Sequence, residues 1–557
     1  MSGADRTTPA TRPDPNLAQR SAAAPDRSVW VTASAGSGKT KVLTDRVLRL
    51  LLEGTQPERI VCLTFTKAAA AEMDVRLRRR LGEWATAPDS ALSADLAALL
   101  GRAPDDALAA RARRLFAAVL DARGGPTIQT VHAFCQSLLR RFPLEARVAP
   151  HFDVSDDRTA AEELRAARDA VLRRASRDPA SLDPAVGQPT TGESAGREPP
   201  ELTDALRRVT SRVGEIDFDD LMRAMVGERG RLLRLADAVG GREGIAAAIR
   251  RRLGLPADAT RAALLAEGCR DAAFDGDGLR RACTALAGGS GADAERAESL
   301  RAWLEAPDGR VAGFEVYRRA FFTAEGTIRQ RLATKAAIAV CADAETILRS
   351  EAARLERLCG LCNAVDVTEA TLALATLVLA QIDLYDERKR RRGMLDFDDL
   401  VLRCRALLES DAGWVQYKLD GGVDHVLIDE GQDTNPDQWA VVEALVGEFF
   451  AGAGAREGER TVFAVGDPKQ SIFSFQRADP ARFAAMQATF RDRSRSALKS
   501  WEDVGLEVSF RSVPAVLRAV DAVFARPEAA AGVVPPGAAL RHHAHRDGQP
   551  GLVEVWP

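Results

Sequence analysis

VWVTASAGSGKTKVLTDRVLRLLLEG, residues 29–54, decides the fold. Val29–Thr32 is a short apolar, β-rich run, KVLTDRVLRLLLEG has the spacing of an amphipathic helix, and Gly54 stops it. Between them lies ASAGSGKT, Ala33 to Thr40, which matches the phosphate-loop pattern except that Ala33 stands in place of the first Gly. Gly36 and Gly38 let the backbone curl until successive N–H groups face one point. Lys39 supplies a mobile charge for β- and γ-phosphates, Thr40 offers a hydroxyl to Mg²⁺, and the helix N-terminus adds its dipole. A chance Gly/Ser-rich turn is the plain alternative, and the flanking strand and helix argue against it. Ala33, Ser34, Ala35, Gly36, Ser37, Gly38, Lys39 and Thr40 are therefore the candidate nucleotide-binding residues.

The same grammar recurs elsewhere. IVCLTF (60–65) precedes KAAAAEMDVRLRRRL, and HVLIDE (425–430) precedes a loop with Pro436 and then QWAVVEALVGEFF. TVFAVG (461–466) follows the loop AGAGAREGER. Apolar β-rich runs alternating with amphipathic helices predict an α/β fold with a parallel sheet covered on both faces. VLIDEGQD sets Asp429 and Glu430 at a strand end, the edge where such sheets bind ligands. An Asp there can hold Mg²⁺, an adjacent Glu can orient and deprotonate an attacking water, and Gln432 and Asp433 extend the pattern. On its own, an acidic pair after a strand is as readily a solvated loop start.

From about 155 to 380 the chain is mostly Ala, Leu, Arg and Glu at helical spacing, as in RAARDAVLRRA, so a helical domain inserted into the α/β domain is expected. Residues 177–200 and 288–295 read as loops, and no internal repeat is visible. The 557 residues suggest roughly three to five domains. A composition 46% hydrophobic and 28% charged is that of a globular protein. A net charge of -3, from 77 basic and 80 acidic residues, excludes a global polycation and leaves only local patches for nucleic acid. The 8 scattered Cys fit a reducing compartment. With no stretch near 18 apolar residues, no transmembrane helix is expected. MSGADRTTPATRPDP reads as a disordered tail without the apolar core of a signal peptide.

Taken in order, the motifs resemble those of superfamily 1 helicases of the UvrD/RecB group. NLAQRSA places Gln19 where the family's adenine-reading Gln sits, and ASAGSGKT is similar to motif I. LTFTKAAAAEM resembles motif Ia, a DNA-backbone contact, with Thr64, Phe65, Thr66 and Lys67. TIQTVHAFC resembles the segment with the family's Thr-x-His pair, here Thr130 and His132. YDERKRRRGMLDFDDL (385–400) resembles the return into the motor domain, IDEGQD motif II, VGDPKQSIFSFQRAD motif III, and VSFRS (508–512) motif IV. Within the group the strings look most like AddA-type helicase–nucleases, with the RecB type close behind.

The resemblance implies a RecA-like P-loop motor that is an ATP-dependent 3′→5′ DNA helicase or translocase in double-strand break repair. It would use ATP and Mg²⁺, act on DNA beside an AddB-like partner, and work in the bacterial cytoplasm at the nucleoid. It assigns Lys39, Asp429, Glu430, Gln470 and Arg511 to catalysis, Gln19 to adenine, and Thr40 and Asp429 to the metal. Thr64, Phe65, Thr66, Lys67, Thr130, His132 and Phe475 would face DNA. Phe65 as plain core and His132 as a structural histidine are the bland alternatives, and Phe473 is expected to pack in the core. The implied layout is a tail at 1–15, the first motor domain at 16–154 and 381–496, the insertion at 155–380, and the start of a second motor domain at 497–557. Motifs V and VI, the arginine finger and the nuclease domain are not found, so the chain reads as the N-terminal portion of a longer protein that hydrolyses ATP poorly alone. One departure stands out: the family's Arg-Gly-Ala in motif III is here Gln476-Arg477-Ala478, so Arg477 receives no family role.

Other features invite simpler readings. Cys359 and Cys362 form a lone CxxC best taken as chance, and His542, His543 and His545 lack a metal-binding frame. Arg76, Arg78, Arg79 and Arg80 read as a solvated helix face. In DFDDL (396–400) the acids should cap a helix while Phe397 and Leu400 pack on the motor. Two further function classes remain, a DNA-binding scaffold with a decayed ATPase and a P-loop kinase with a small-molecule acceptor. Intact Lys39, Thr40, Asp429 and Glu430 oppose the first, and motif III opposes the second.

Overall fold

The computed structural model describes residues 14–122, 125–176, 199–289, 291–410, 414, 415, 418, 422–450, 459–471, 477–530, 533 and 540–556. The segment 177–198, most of the first expected loop, lies outside them, as do Phe473, Phe475 and nearly all of the N-terminal tail. The chain divides into two compact units, Met1–Asp157 with Arg392–Pro557, and Arg158–Arg391.

Among the described residues, the first unit is built on ten strands in chain order: β1 (Ser28–Ala33), β2 (Ile60–Thr64), β3 (Thr127–Thr130), β4 (Asp153–Val154), β5 (Met394–Leu395), β6 (His425–Ile428), β7 (Thr461–Gly466), β8 (Trp501–Leu506), β9 (Val508–Ser509) and β10 (His543–Ala544). Six form one sheet in the order β3-β2-β6-β7-β1-β8, and every pairing in it is parallel. β4 pairs with β5 and β9 with β10 in two small sheets.

Period-2 alternation splits the strands between two cores. Trp30, Val61, Leu63, Val426, Ile428, Val462 and Ala464 face one layer. Val29, Val31, Ile60, Cys62, Leu427, Phe463 and Val465 face the other. This is why the four strands recognised in the sequence read as continuous apolar runs: both faces are covered. β3 and β8 are edge strands. TIQT and WEDVGL carry too little apolar sequence to announce themselves, and register with β2 and β1 makes them strands. Part of the stretch expected to open a second motor domain thus completes the first sheet.

The second unit is helical. Its 48-residue helix, Ala344–Arg391, runs past position 380 and serves two cores, with Leu348, Leu355 and Cys362 in one and Leu377, Val378 and Ile382 in the other. Contrary to the sequence expectation, this helix is long and apolar enough by length and composition to cross a membrane, but 44% of its most apolar window is buried inside the protein. A core helix meets the same criterion. The loop expected at 288–295 is also shorter than read, because a helix starts at Gly291. Asp293 lies in its first turn, where a carboxylate suits the dipole, and is fixed by Thr334 and Arg296.

Candidate nucleotide and nucleic-acid site

The C-terminal edge of the six-stranded sheet collects most of the expected residues. β1 ends at Ala33 and the chain turns into the helix Lys39–Glu53 through Gly36 (φ +73°) and Gly38 (φ +92°), left-handed positions that favour glycine. The loop is clasped from two sides. Gln19, buried on the helix Pro15–Ala22, donates from Nε2 to the Ser37 carbonyl at 3.0 Å. Gly36 accepts from the Phe510 N–H at 2.8 Å, and a Cβ on Gly36 would stand 2.5 Å from Cβ of Arg511. Arg511 is therefore set beside the loop, on the exposed side. Thr40 is half-buried in the first helical turn.

Asp429 extends the pairing of β6 with β2, its N–H bonding the Leu63 carbonyl at 2.9 Å. Burial, reinforced by neighbouring Glu430 and opposed by Lys39, pushes its pKa up to about 6. Glu430 turns away at φ +50° and donates its N–H to Oδ1 of Asp429 at 3.0 Å. Its Oε2 accepts from Nζ of Lys39 at 2.7 Å, an ion pair spanning 391 positions in the chain. The phosphate loop and the acidic strand end therefore meet at one place.

Behind this pair sits a hub that the sequence reading treated as a mere extension. Gln432 is buried and donates to Oε2 of Glu430 at 2.8 Å and to Oδ2 of Asp433 at 2.9 Å. Its Oε1 accepts the backbone N–H of Asp467, just beyond β7, at 2.8 Å. Gln470 in turn donates to Asp467 at 2.5 Å. Motif II and motif III are thus wired through one glutamine. Asp467 was missed, although a Gly-Asp pair directly after an apolar strand was the available signal. Gly431 and Gly466 complete the hub because a Cβ on either would collide with Phe483, at 2.5 and 2.8 Å.

At the other end of this edge are the residues expected to face DNA. Thr64 is buried and its hydroxyl bonds the Thr66 carbonyl at 3.0 Å. Thr66 caps the helix Lys67–Thr86, and Thr130 caps Val131–Arg141 through the Ala133 N–H at 3.2 Å. Both caps satisfy helix donors that would otherwise be orphaned. Phe65 and His132 are half-buried and Lys67 is exposed. Phe65 and His132 line one cleft with Thr64, Asp429, Thr434 and Gln438, so this edge adjoins the acidic pair. Burial lowers the His132 pKa against a weaker opposing effect from Asp398, so the imidazole is neutral near pH 7. Phe475 lies outside the described residues.

DFDDL divides its labour differently from the expectation. Asp396 and Asp399 form a capping box and Leu400 is buried, but Phe397 is 38% exposed and meets the His132 ring edge-on at 5.5 Å. Asp398 takes no part in the cap and pairs with Arg477. Arg80 departs from a solvated face, reaching Asp45 and Asp95 at 2.8 and 2.9 Å. Cys359 and Cys362 lie within the long helix and pack in its first core. His542 pairs with Asp521 at 2.6 Å.

The family model of the UvrD/REP helicase N-terminal domain matches residues 15–491. An ATP-dependent helicase/nuclease of Pelotomaculum thermopropionicum, the AddA-type chain of its complex, is 28% identical over 89% of this chain and 37% of its own length. Its counterpart in Desulforudis audaxviator is 29% identical over 90% and 39%. The RecBCD enzyme subunit RecB of Mycolicibacterium smegmatis is 36% identical over a shorter stretch, 22% of this chain and 10% of its own. The chain thus spans under two fifths of the length of the two helicase/nuclease relatives. With the family model covering most of its length, and a P-loop facing an acidic strand end on a parallel sheet, the chain belongs to the UvrD/REP helicase family through its N-terminal domain.

Proposed function

We propose that this chain is the ATP-hydrolysing part of a DNA helicase or translocase motor of the AddA type, moving 3′→5′ in double-strand break repair beside an AddB-like partner. One observation carries the reading: Lys39 on the phosphate loop and Glu430 at the end of β6 touch at 2.7 Å, with Gln432 joining them to Asp467 and Gln470. The similarity to the helicase/nuclease chains of two bacteria supports the pathway and the partner.

The chemistry follows from the residues. The loop amides and Lys39 bind the triphosphate, and Gln19 stands beside Gly38 where it can meet the adenine. When phosphate draws Lys39 away, Glu430 is released to orient the attacking water and hold its proton. Gln470 and Arg511 flank the γ-phosphate end. Asp429 suits Mg²⁺: it is a buried carboxyl next to a second one, and burial resists its ionisation until a cation offsets the charge. Asp429 and Thr40 would hold the ion, which keeps most of its water ligands and needs few protein oxygens. Bound there, it would neutralise phosphate charge. Phe65, Thr66, Lys67 and His132 provide a stacking and cationic edge for single-stranded DNA, as does Phe475 by family resemblance. Thr64 and Thr130 shape the backbone of that edge.

ATP hydrolysis measured with and without single-stranded DNA tests the reading. A motor is stimulated, a scaffold is not, and a kinase depends on a small acceptor. Lys39→Ala should abolish nucleotide binding and hydrolysis, and full retention of either would refute the site.

A further inference from the structure

Arg477 occupies a left-handed backbone position, φ +66°, just before the helix Pro480–Ser496. A long side chain is costly in that conformation, and glycine is not. Strained non-glycine residues persist where surrounding contacts hold them, and they concentrate at functional positions. The contacts are identifiable. Nη2 of Arg477 meets Oδ1 of Asp398 at 2.5 Å, and Nη1 lies 3.9 Å from Oδ2 of Asp437. Asp437 is buried and is also held by Arg405 at 3.2 Å.

The two acids belong to elements that reach different parts of the site. Asp398 adjoins Phe397, whose ring supports His132 on the DNA edge. Asp437 lies in the first turn of the helix Pro436–Val446, which follows the Asp429–Gln432 segment directly. Between these places His132 and Asp429 line one cleft. Arg477 is thus a single cation bridging the support of the DNA edge and the helix behind the nucleotide site.

We infer that Arg477 is a positioning residue that couples the two sites: its ion pairs with Asp398 and Asp437 fix the Phe397–His132 platform relative to the motif II helix, so that single-stranded DNA and ATP strengthen each other's binding. The inference rests on the motor reading above. It assigns a role to the one motif III residue at which this chain departs from the family pattern, and to DFDDL beyond its cap.

The test uses binding, so it does not depend on turnover. The affinity for a slowly hydrolysed ATP analogue is measured with and without a thymidine oligonucleotide, and the reverse, since such coupling is reciprocal. The wild-type chain should show mutual strengthening of about fivefold or more, the lower end of typical couplings. Arg477→Gly relieves the backbone strain while removing the bridge. It should keep its thermal midpoint and each separate affinity within about twofold, yet lose the coupling. Asp398→Asn should lose it too, the double variant should lose no more than either, and Asp398→Glu should retain it. An Arg477→Gly protein with intact coupling overturns the inference alone, as does one whose separate affinities and midpoint fall together. A wild-type chain that binds the analogue and the oligonucleotide independently overturns it while leaving DNA-stimulated hydrolysis to decide the motor reading.

Discussion

Asp429→Asn should stabilise the nucleotide-free protein even though it removes a residue placed at the centre of catalysis. The folded-state pKa of Asp429 is raised from 3.8 to about 6, with burial as the main cause and Glu430 as the second. A raised carboxyl pKa means that the unfolded chain ionises first. Stability is therefore highest below pH 3.8 and falls as pH rises towards about 6. Above that the penalty is constant, about 3 kcal/mol at about 1.4 kcal/mol per pKa unit. Asparagine removes the charge and keeps an oxygen for the Glu430 N–H, the hydrogen bond Asp429 makes now. The gain should be as much as about 3 kcal/mol at pH 7.5, about half that at pH 5, and close to nothing near pH 3.5. Thermal midpoints of wild type and variant across this range read it as a rise of a few degrees at neutral pH. Mg²⁺ with ATP should reverse the order, stabilising wild type and not the variant. A midpoint that falls at pH 7.5, or a gain independent of pH, would refute the argument that this carboxyl is held uncompensated for a cation.

Further predictions concern the hub, the loop and the DNA edge. Gln432→Leu leaves the buried Asp467 N–H without its acceptor and should cost about 1–3 kcal/mol in urea unfolding, with loss of hydrolysis. Gly431→Ala should cost a similar about 1–3 kcal/mol, since its Cβ would stand 2.5 Å from the Phe483 ring, and Phe483→Leu should recover part of it. Gln19→Ala should weaken ATP binding about fivefold and narrow the preference for ATP over GTP, as titration of both nucleotides would show. Because burial keeps His132 neutral, affinity for a thymidine oligonucleotide should show no step attributable to His132 between about pH 6.5 and 8, and His132→Ala should cost about 1–3 kcal/mol of binding.

The central strands and the phosphate loop were legible because their chemistry is local. Val29–Thr32 must be apolar to sit between two helical layers, and a curled loop needs Gly36 and Gly38 wherever it occurs. β3 and β8 were not legible, since strands at a sheet edge are defined by register with a neighbour more than by their own sequence. Motif order identified Asp429 and Glu430, but not that Glu430 is tied to Lys39, nor that Gln432 and Asp467 hold the arrangement; those are facts about distant segments meeting. Thr64, Thr66 and Thr130 matched a DNA-contact pattern, yet Thr64 and Thr130 spend their hydroxyls on their own backbone. A motif records the residue type without the direction in which the side chain points. Phe397 was read as core because phenylalanine usually is, and its exposed edge against His132 depends on a helix more than two hundred residues away.

The place of β1 in the sheet also constrains how the molecule is made. It lies between β7 and β8, and Ser28 caps the Val462 N–H across 434 positions. A ribosome adding about 5–20 residues each second leaves this strand without either neighbour for roughly 20–90 seconds. During that wait the helical unit, one uninterrupted segment, can be completed, while Val29, Trp30 and Val31 remain uncovered on the nascent chain. Aggregation during synthesis, and rescue by a holdase, should therefore centre on the first sixty residues.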